Sequence, residues 1–254
     1  MKQIIEVGKI KIGEGMPKVC VPLVGKNNRE LVEEAKVLKE LELDIVEWRM
    51  DYHEQVEDIN HMKESLKTLR ELLGDTPLLA TFRSKQEGGE REMSSDDYVV
   101  LNKTMIESGM IDLIDIELFI GDEIVKELVD FAHEHHVKVV MSNHDFLKTP
   151  SKEEIIARLC KMQHLNGDLP KIAVMPQKIE DVLTLLAATH EMATQYANRP
   201  IITMSMAEMG VVSRLVGETF GSAVTFAAAK KASAPGQIPV GKLVQILEIL
   251  HESK

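Results

Sequence analysis

Lys171 stands in Leu169-Pro170-Lys171-Ile172-Ala173-Val174-Met175-Pro176, an apolar run that reads as a buried strand. Lysine is almost never fully buried without a partner, because the ammonium loses its hydration. Desolvation disfavours the charged form, and a neutral ε-amine near neutral pH can attack a ketone to form a Schiff base. Upstream, Val139-Val140-Met141-Ser142-Asn143-His144-Asp145-Phe146 is a second apolar run that ends in a histidine. Histidine can hold and return one proton near neutral pH, so the two residues together point to covalent carbonyl chemistry with an acid/base partner. Taken singly, each has a plainer reading. Lys171 could be a snorkelling strand-end lysine or half of a buried ion pair with Glu47, and His144 could be a hydrogen-bonded core histidine.

The elements that must position these residues follow from periodicity. Short apolar runs at 17–23, 44–50, 78–83, 113–118, 138–144, 171–175, 201–206 and 223–226 alternate with stretches of helical spacing. Leu31, Ala35, Leu38 and Leu41 make one helical stripe. Ile155, Ile156, Leu159 and Met162 make another, opened by a Ser151-Lys152-Glu153-Glu154 capping box. Leu243, Ile246, Leu247 and Leu250 make the last. The stretch after Met206, punctuated by Gly and Ser, has the least regular pattern. Eight strand–helix units in 254 residues predict an α/β protein with a (β/α)8 barrel. Residues 4–15 alternate around Gly8 and predict a β-hairpin closing one barrel end. A doubly wound open sheet is the competitor, but no GxGxxG follows any strand.

Alternation within each strand assigns the faces. Glu47, Arg49 and Asp51 share one face of the second strand, opposite Val46, Trp48 and Met50. Thr81 and Arg83 oppose Ala80 and Phe82; Asp115 and Glu117 oppose Ile114 and Ile116. Ser142, His144 and Phe146 share a face, as do Lys171, Ala173 and Met175. With the apolar sets packed outward on helices, the charged sets converge inside the barrel near the strands' C-terminal ends, where barrel enzymes place their active sites. An ion-pair network plugging the barrel is the plainer account of the same charges.

Composition narrows the partners. Hydrophobic residues make up 44% of the chain and the net charge is −11. That acidity argues against nucleic acid and anionic membranes, while leaving room for a small anionic substrate bound by local arginines. Two cysteines, Cys20 and Cys160, give no disulfide framework or zinc spacing, and the first residues lack the apolar core of a signal peptide. With no membrane-length apolar run and no linker, the expectation is one cytoplasmic domain spanning residues 1–254. His133, Glu134, His135 and His136 look metal-like but fall at a helix end, where adjacent residues do not share a face, so no metal site is expected.

Several separated motifs resemble the type I 3-dehydroquinase family: Glu47-Trp48-Arg49-Met50-Asp51, Thr81-Phe82-Arg83-Ser84 with Glu87-Gly88-Gly89, Asp115-Ile116-Glu117, Ser142-Asn143-His144-Asp145-Phe146, the Lys171 run, Met204-Ser205-Met206, Ser213-Arg214 and Ser233-Ala234-Pro235-Gly236-Gln237. The resemblance runs from about Lys18 to the C-terminal helix. It implies syn elimination of water from 3-dehydroquinate to give 3-dehydroshikimate, a step of the shikimate route to chorismate and the aromatic amino acids, with no cofactor. It implies Lys171 as the Schiff-base lysine, His144 as general base and acid, and Glu87 as the residue that orients or charge-stabilises His144. Arg214 would take the substrate carboxylate in a fork geometry, with Ser233 and Gln237 adding donors from a loop that closes over the ligand. Glu47, Arg49 and Arg83 suit ring hydroxyls, and Met204, Met206, Phe146 and Phe226 would form apolar walls. The family also implies a homodimer.

Two other functions compete. A Schiff-base aldolase or transaldolase also uses a barrel lysine, but no glycine-rich phosphate cup follows the last strands here. A catalytically silent scaffold need not keep Lys171, His144, Glu87 and Arg214 together.

Overall fold

Strand alternation decides the architecture, and the helices answer to it. A computed structural model describes residues 3–229 and 234–253. Strands β1 (Ile5–Val7) and β2 (Ile10–Ile12) pair antiparallel around Gly8, which takes a left-handed φ of +55°. Eight parallel strands follow: β3 (Lys18–Leu23), β4 (Ile45–Arg49), β5 (Leu78–Thr81), β6 (Leu113–Glu117), β7 (Lys138–Asp145), β8 (Leu169–Val174), β9 (Ile202–Ser205) and β10 (Val224–Phe226). They lie in chain order with β10 beside β3, and a bridge between Ile201 and Ser222 brings β9 to β10. The sheet thereby closes into the (β/α)8 barrel that the repeat predicts. Helices α1 (Asn28–Leu38), α2 (Ile59–Leu73), α3 (Ser95–Glu107), α4 (Asp122–Glu134), α5 (Lys152–His164) and α6 (Ile179–Glu191) make the first six crossovers. The Gly- and Ser-rich seventh is broken into α7 (Val211–Leu215) and α8 (Gly217–Phe220), and α9 (Val240–Glu252) ends the barrel.

Outward strand residues bury the helices. Val46, Trp48, Ala80, Phe82, Ile114, Ile116, Ile172 and Val174 share one core with Leu31, Leu66, Met105, Leu128, Leu159 and Leu185 of the helices. Each such large side chain contributes roughly 1.5–3 kcal/mol of burial. A one-residue slip of β4 would turn Glu47 and Arg49 into that layer, so the register that hides the apolar set forces the charged set inward.

The N-terminal end of the barrel is sealed twice. Ile5, Val7 and Ile12 of the hairpin pack on Cys20, Ile45, Leu79, Leu113, Val140, Leu169, Ile202 and Val224, the inward residues near the strand starts. A polar staple also recurs at every second strand. Asp44, just before β4, accepts from the backbone N–H of Val19 on β3 at 2.7 Å. Asp112 before β6 accepts from Leu78 at 2.8 Å, and Asp168 before β8 accepts from Val139 at 2.8 Å. Ser222 before β10 takes the same position toward Thr203 at 3.0 Å. Each staple accepts from a backbone N–H at or next to a strand start, a group that would be costly to leave open.

Three expectations are corrected. The sixth barrel strand begins at Leu169, with Pro170 opposite Met141 in the ladder; proline is tolerated near a strand start. Ser151 caps α5 by accepting from the Glu154 N–H, but the Glu154 carboxylate holds Arg158 at 2.7 Å, so it is not the returning arm of a capping box. The stripe on α9 leaves the core by its last turn, where Ile249 and Leu250 are exposed. Among the described residues no helix is long and apolar enough to cross a membrane.

Candidate active site

At the C-terminal end the inward residues turn polar and surround a cavity of about 490 Å³. Its walls are Glu47, Arg49, Arg83, Glu87, Gly88, His144, Phe146, Lys171, Ala173, Met204, Met206, Arg214, Phe226, Ala234 and Gln237. Twelve of the thirteen residues singled out from the sequence meet there. The thirteenth, Ser233, lies outside the described residues, as does part of the loop expected to close over the ligand.

Lys171 reaches the cavity floor from the middle of β8. In the ladder it lies opposite Ser142, while His144 lies opposite Ala173. The imidazole therefore starts two residues higher on the neighbouring strand, roughly 6.6 Å of strand rise, on the same face. Lys171 is 3% exposed, but it is not desolvated alone. Its Nζ lies 3.3 Å from Asp115 Oδ2 and 3.7 Å from Glu47 Oε1, and 4.4 Å from the centroid of the Phe226 ring. The ion pair with Glu47 that sequence offered as the plain reading is present, and Asp115 joins it.

The carboxylates are themselves fixed. Thr81 donates to Glu47 at 3.0 Å and Ser142 to Asp115 at 2.5 Å. Arg83 is the hub: Nη2 lies 2.8 Å from Asp115, and Nη1 lies 2.8 Å from Glu117 and 2.9 Å from Ser142. Burial raises the Asp115 carboxyl, but the charges of Arg83 and Lys171 and the Ser142 hydroxyl overcome it and hold the group below the usual carboxylate range. Arg49 forks onto Asp51 at 2.8 and 2.7 Å, and the 3-10 turn Met50–Tyr52 after β4 carries that aspartate.

His144 is held from above. Its Nδ1 lies 3.0 Å from Glu87 Oε2, and its backbone N–H donates to the same oxygen at 2.9 Å. Burial, and then the charges of Arg83, Lys171 and Arg49, hold the imidazole well below its ordinary value, so it stands neutral. Burial pushes the Glu87 carboxyl up to about 8, with Glu117 and Asp115 adding to the rise against Arg83. The two groups share one hydrogen bond, so a protonation of either belongs to the pair. With Nδ1 turned to Glu87, Nε2 is the ring nitrogen left for the cavity.

Local backbone explains the Glu87-Gly88-Gly89 motif. Ser84 caps the 3-10 turn Lys85–Glu87, and Gly88 ends it at φ +83°. A Cβ on Gly88 would lie 2.2 Å from the Phe146 ring, and one on Gly89 would lie 1.8 Å from the Arg83 carbonyl oxygen. Only glycine lets the turn press Glu87 down on His144 beneath Phe146.

Arg214 is a further buried cation at the cavity. It is 2% exposed and comes from α7, the broken crossover. It donates to the carbonyl oxygens of Pro235 at 3.1 Å and Phe226 at 3.5 Å. Among the described residues no carboxylate pairs with it, its Nε has no partner, and burial pushes its guanidinium down to about 10. A buried, uncompensated cation at a cavity wall is a place for an anion.

Sequence reading missed Asn143. Alternation points it out of the barrel, yet its Nδ2 donates to Glu87 Oε1 at 3.0 Å. Alternation also places Asp115 inside without naming its partners, one of which is Lys171 at 3.3 Å. β3 contributes Cys20 to the interior below the site and no wall to the cavity. The metal-like histidines are used otherwise: His133 binds Asp168 at 2.8 Å and His135 lies against Phe131 with ring centroids 4.4 Å apart.

Comparison with known proteins matches this geometry to a family. The type I 3-dehydroquinase family model matches residues 19–254. The 3-dehydroquinate dehydratase of Clostridioides difficile strain 630 is 59% identical over 253 residues, covering 100% of this chain and 99% of that protein. The corresponding enzyme of Escherichia coli strain SMS-3-5 is 55% identical over 249 residues, covering 98% of this chain and 99% of that protein. A crystal structure of the Clostridium difficile type I 3-dehydroquinate dehydratase with covalent modified comenic acid superposes with a TM-score of 0.98 at 59% identity, and each chain is covered in full. From the matched span and these full-length likenesses, the chain belongs to the type I 3-dehydroquinase family.

Proposed function

We propose that the protein is a 3-dehydroquinate dehydratase working through an imine at Lys171. The amine adds to the C3 ketone of 3-dehydroquinate; with one proton taken up from water, the ketone oxygen leaves as water and a protonated imine remains, and that proton is returned when the imine is hydrolysed. That cation is an electron sink that acidifies the C2 proton. His144 Nε2 removes the proton, and the C2–H electrons shift into the enamine. The same imidazolium protonates the C1 hydroxyl, which departs as water on the same face as the C1–C2 double bond forms. Addition of water to the imine frees Lys171 and releases 3-dehydroshikimate. Glu87 keeps the imidazole turned so that Nε2 faces the substrate. Arg214 pairs with the substrate carboxylate, while Glu47, Arg49 and Arg83 hold ring hydroxyls and Met204, Met206, Phe146 and Phe226 cover the apolar faces. Gln237 and Ser233 would add donors from the loop above.

The observation that carries this reading is the shared cavity: a buried lysine, a neutral imidazole two residues higher on the next strand, and a buried arginine that, among the described residues, no carboxylate pairs. The relative with covalent modified comenic acid supports a nucleophile in such a site. Family membership argues against the aldolase and scaffold alternatives. We also read the chain as one barrel domain that works in the cytoplasm as a homodimer in aromatic biosynthesis.

Mixing enzyme with 3-dehydroquinate should raise the absorbance of the conjugated product. Substrate with borohydride should add one ligand mass at Lys171, and Lys171→Ala should abolish both signals. Turnover by wild-type enzyme with no trapped mass would rule out the imine.

A further inference from the structure

A polar chain leads from the outer helix layer to the imidazole. Arg158 stands on α5, outside the barrel, with its side chain 17% exposed. Its Nη1 donates to Asn143 Oδ1 at 3.0 Å, and Asn143 Nδ2 donates to Glu87 Oε1 at 3.0 Å. Glu87 Oε2 then meets His144 Nδ1 at 3.0 Å. Glu154 Oε1, at 2.7 Å from Arg158 Nε, fixes the guanidinium from below, and the Phe119 ring lies under it at 5.5 Å.

We propose that Arg158 is a positioning residue for the acid/base histidine, acting through Asn143 and Glu87. The proposal rests on the reading of His144 given above. The direction of each bond is forced. Arginine has only donors, so Asn143 must turn its carbonyl oxygen to Arg158 and its amide N–H to Glu87. Glu87 Oε1 must therefore accept, and any proton on the carboxyl is confined to Oε2, on the line to His144 Nδ1. That arrangement favours an ionised Glu87 accepting from Nδ1–H, which leaves the Nε2 lone pair for the substrate. Without the guanidinium the Asn143 amide is free to turn over, presenting an oxygen to Glu87 and favouring its protonated form.

Other charges bear on the same pair: Arg83 of the β5 end, Glu117 and Asp115 of β6, Lys171 of β8 and Arg49 of β4. All of these line the interior, and Arg158 alone among the groups in this hydrogen-bonded chain stands on a surface helix. It can be changed without altering the cavity wall. Asp145 Oδ2 lies 3.8 Å from Arg158 Nη1 and is a competing partner outside the chain.

Arg158→Met keeps the stem and removes the donors. The expected result is a fall in kcat of roughly three- to thirtyfold with KM little changed. The acid limb of the kcat/KM–pH profile should move up by about half a unit, because losing a cation and a donor makes Glu87 easier to protonate. Arg158→Lys should recover part of both, and Asn143→Ala should not add to Arg158→Met. Arg158→Met with wild-type kcat per folded molecule and an unmoved acid limb would overturn the proposal, whether or not its melting temperature falls. Borohydride trapping at Lys171 in wild-type enzyme tests the parent reading separately. A missing adduct sinks that reading, while an adduct with an unmoved limb sinks only the relay.

Discussion

The two ends of the barrel spend the same residue types on opposite tasks. At the N-terminal end Asp44, Asp112 and Asp168 each accept a strand-start N–H, and hairpin side chains fill the space between strands. At the C-terminal end Glu47, Glu87 and Asp115 hold cations or the imidazole around a cavity. Asp168, bonded to Val139 N–H and His133 and near Lys138, is held below the usual carboxylate range by those groups against the burial that raises it. Glu87, with donors of its own, is nonetheless raised to about 8 because burial wins. The lesson concerns satisfaction. The lower end matches its carboxylates with donors and so contributes stability, whereas the upper end, among the described residues, gives the buried Arg214 no carboxylate and leaves the Glu87–His144 pair sharing one hydrogen bond, an arrangement that the proposed substrate carboxylate would complete.

The contrast can be broken most sharply at His144. His144→Ala should slow proton abstraction and lower kcat by about 10²- to 10⁴-fold while still allowing a borohydride adduct at Lys171. Near-normal turnover would remove the imidazole from its role. Arg214→Met comes next: KM for 3-dehydroquinate should rise roughly tenfold to a hundredfold, as expected for a lost charged hydrogen bond. Because no carboxylate among the described residues pairs with the buried guanidinium, the melting temperature should not drop; a large drop would show that the charge is structural.

The lower end should behave in the reverse manner. Asp168→Ala should cost about 1–3 kcal/mol of stability and leave kcat per folded molecule unchanged, measured by denaturant titration and steady-state assay. The sign of its pH dependence follows from the depressed folded value. Its contribution is present above the unfolded carboxyl value of about 3.9 and fades as pH falls through the folded one.

The smallest effect sharpens the poised pair. Wild-type kcat/KM should rise with pH as the Glu87–His144 pair loses its proton, with a limb near 8. Glu87→Gln removes the group that titrates there and leaves an imidazole held well below its ordinary value. The limb should therefore move to lower pH while the plateau falls, and an unmoved limb would dissociate it from this pair.

Much of this was legible in one dimension, and what was missed has a common cause. Period-two alternation put Glu47, Arg49, Arg83, Asp115, His144 and Lys171 inside because the opposite faces were apolar, and the ladder register bears that out. The Gly88-Gly89 pair entered only as part of a motif, and the structure supplies its reason, a close approach to Phe146 and the Arg83 carbonyl that lies across a turn and between separate strands. Asn143 failed the same rule that succeeded for His144: its outward position hid a bond made through Glu87 above the strand end. Desolvation or a pair with Glu47 was expected at Lys171; the second carboxylate, Asp115, came only with the burial.

The sequence by itself determined the barrel, the hairpin plug, the inward charges and the residue types of a carbonyl-chemistry site. These rest on short-range rules, namely side-chain period, capping and the aversion of apolar groups to water. Only the tertiary structure decided which carboxylate meets which cation, that Arg214 meets none among the described residues, and that an arginine on an outer helix reaches the imidazole through two other residues. Those depend on distances between segments far apart in the chain, and in a buried site a difference of one or two ångströms separates an ion pair from an unpaired charge.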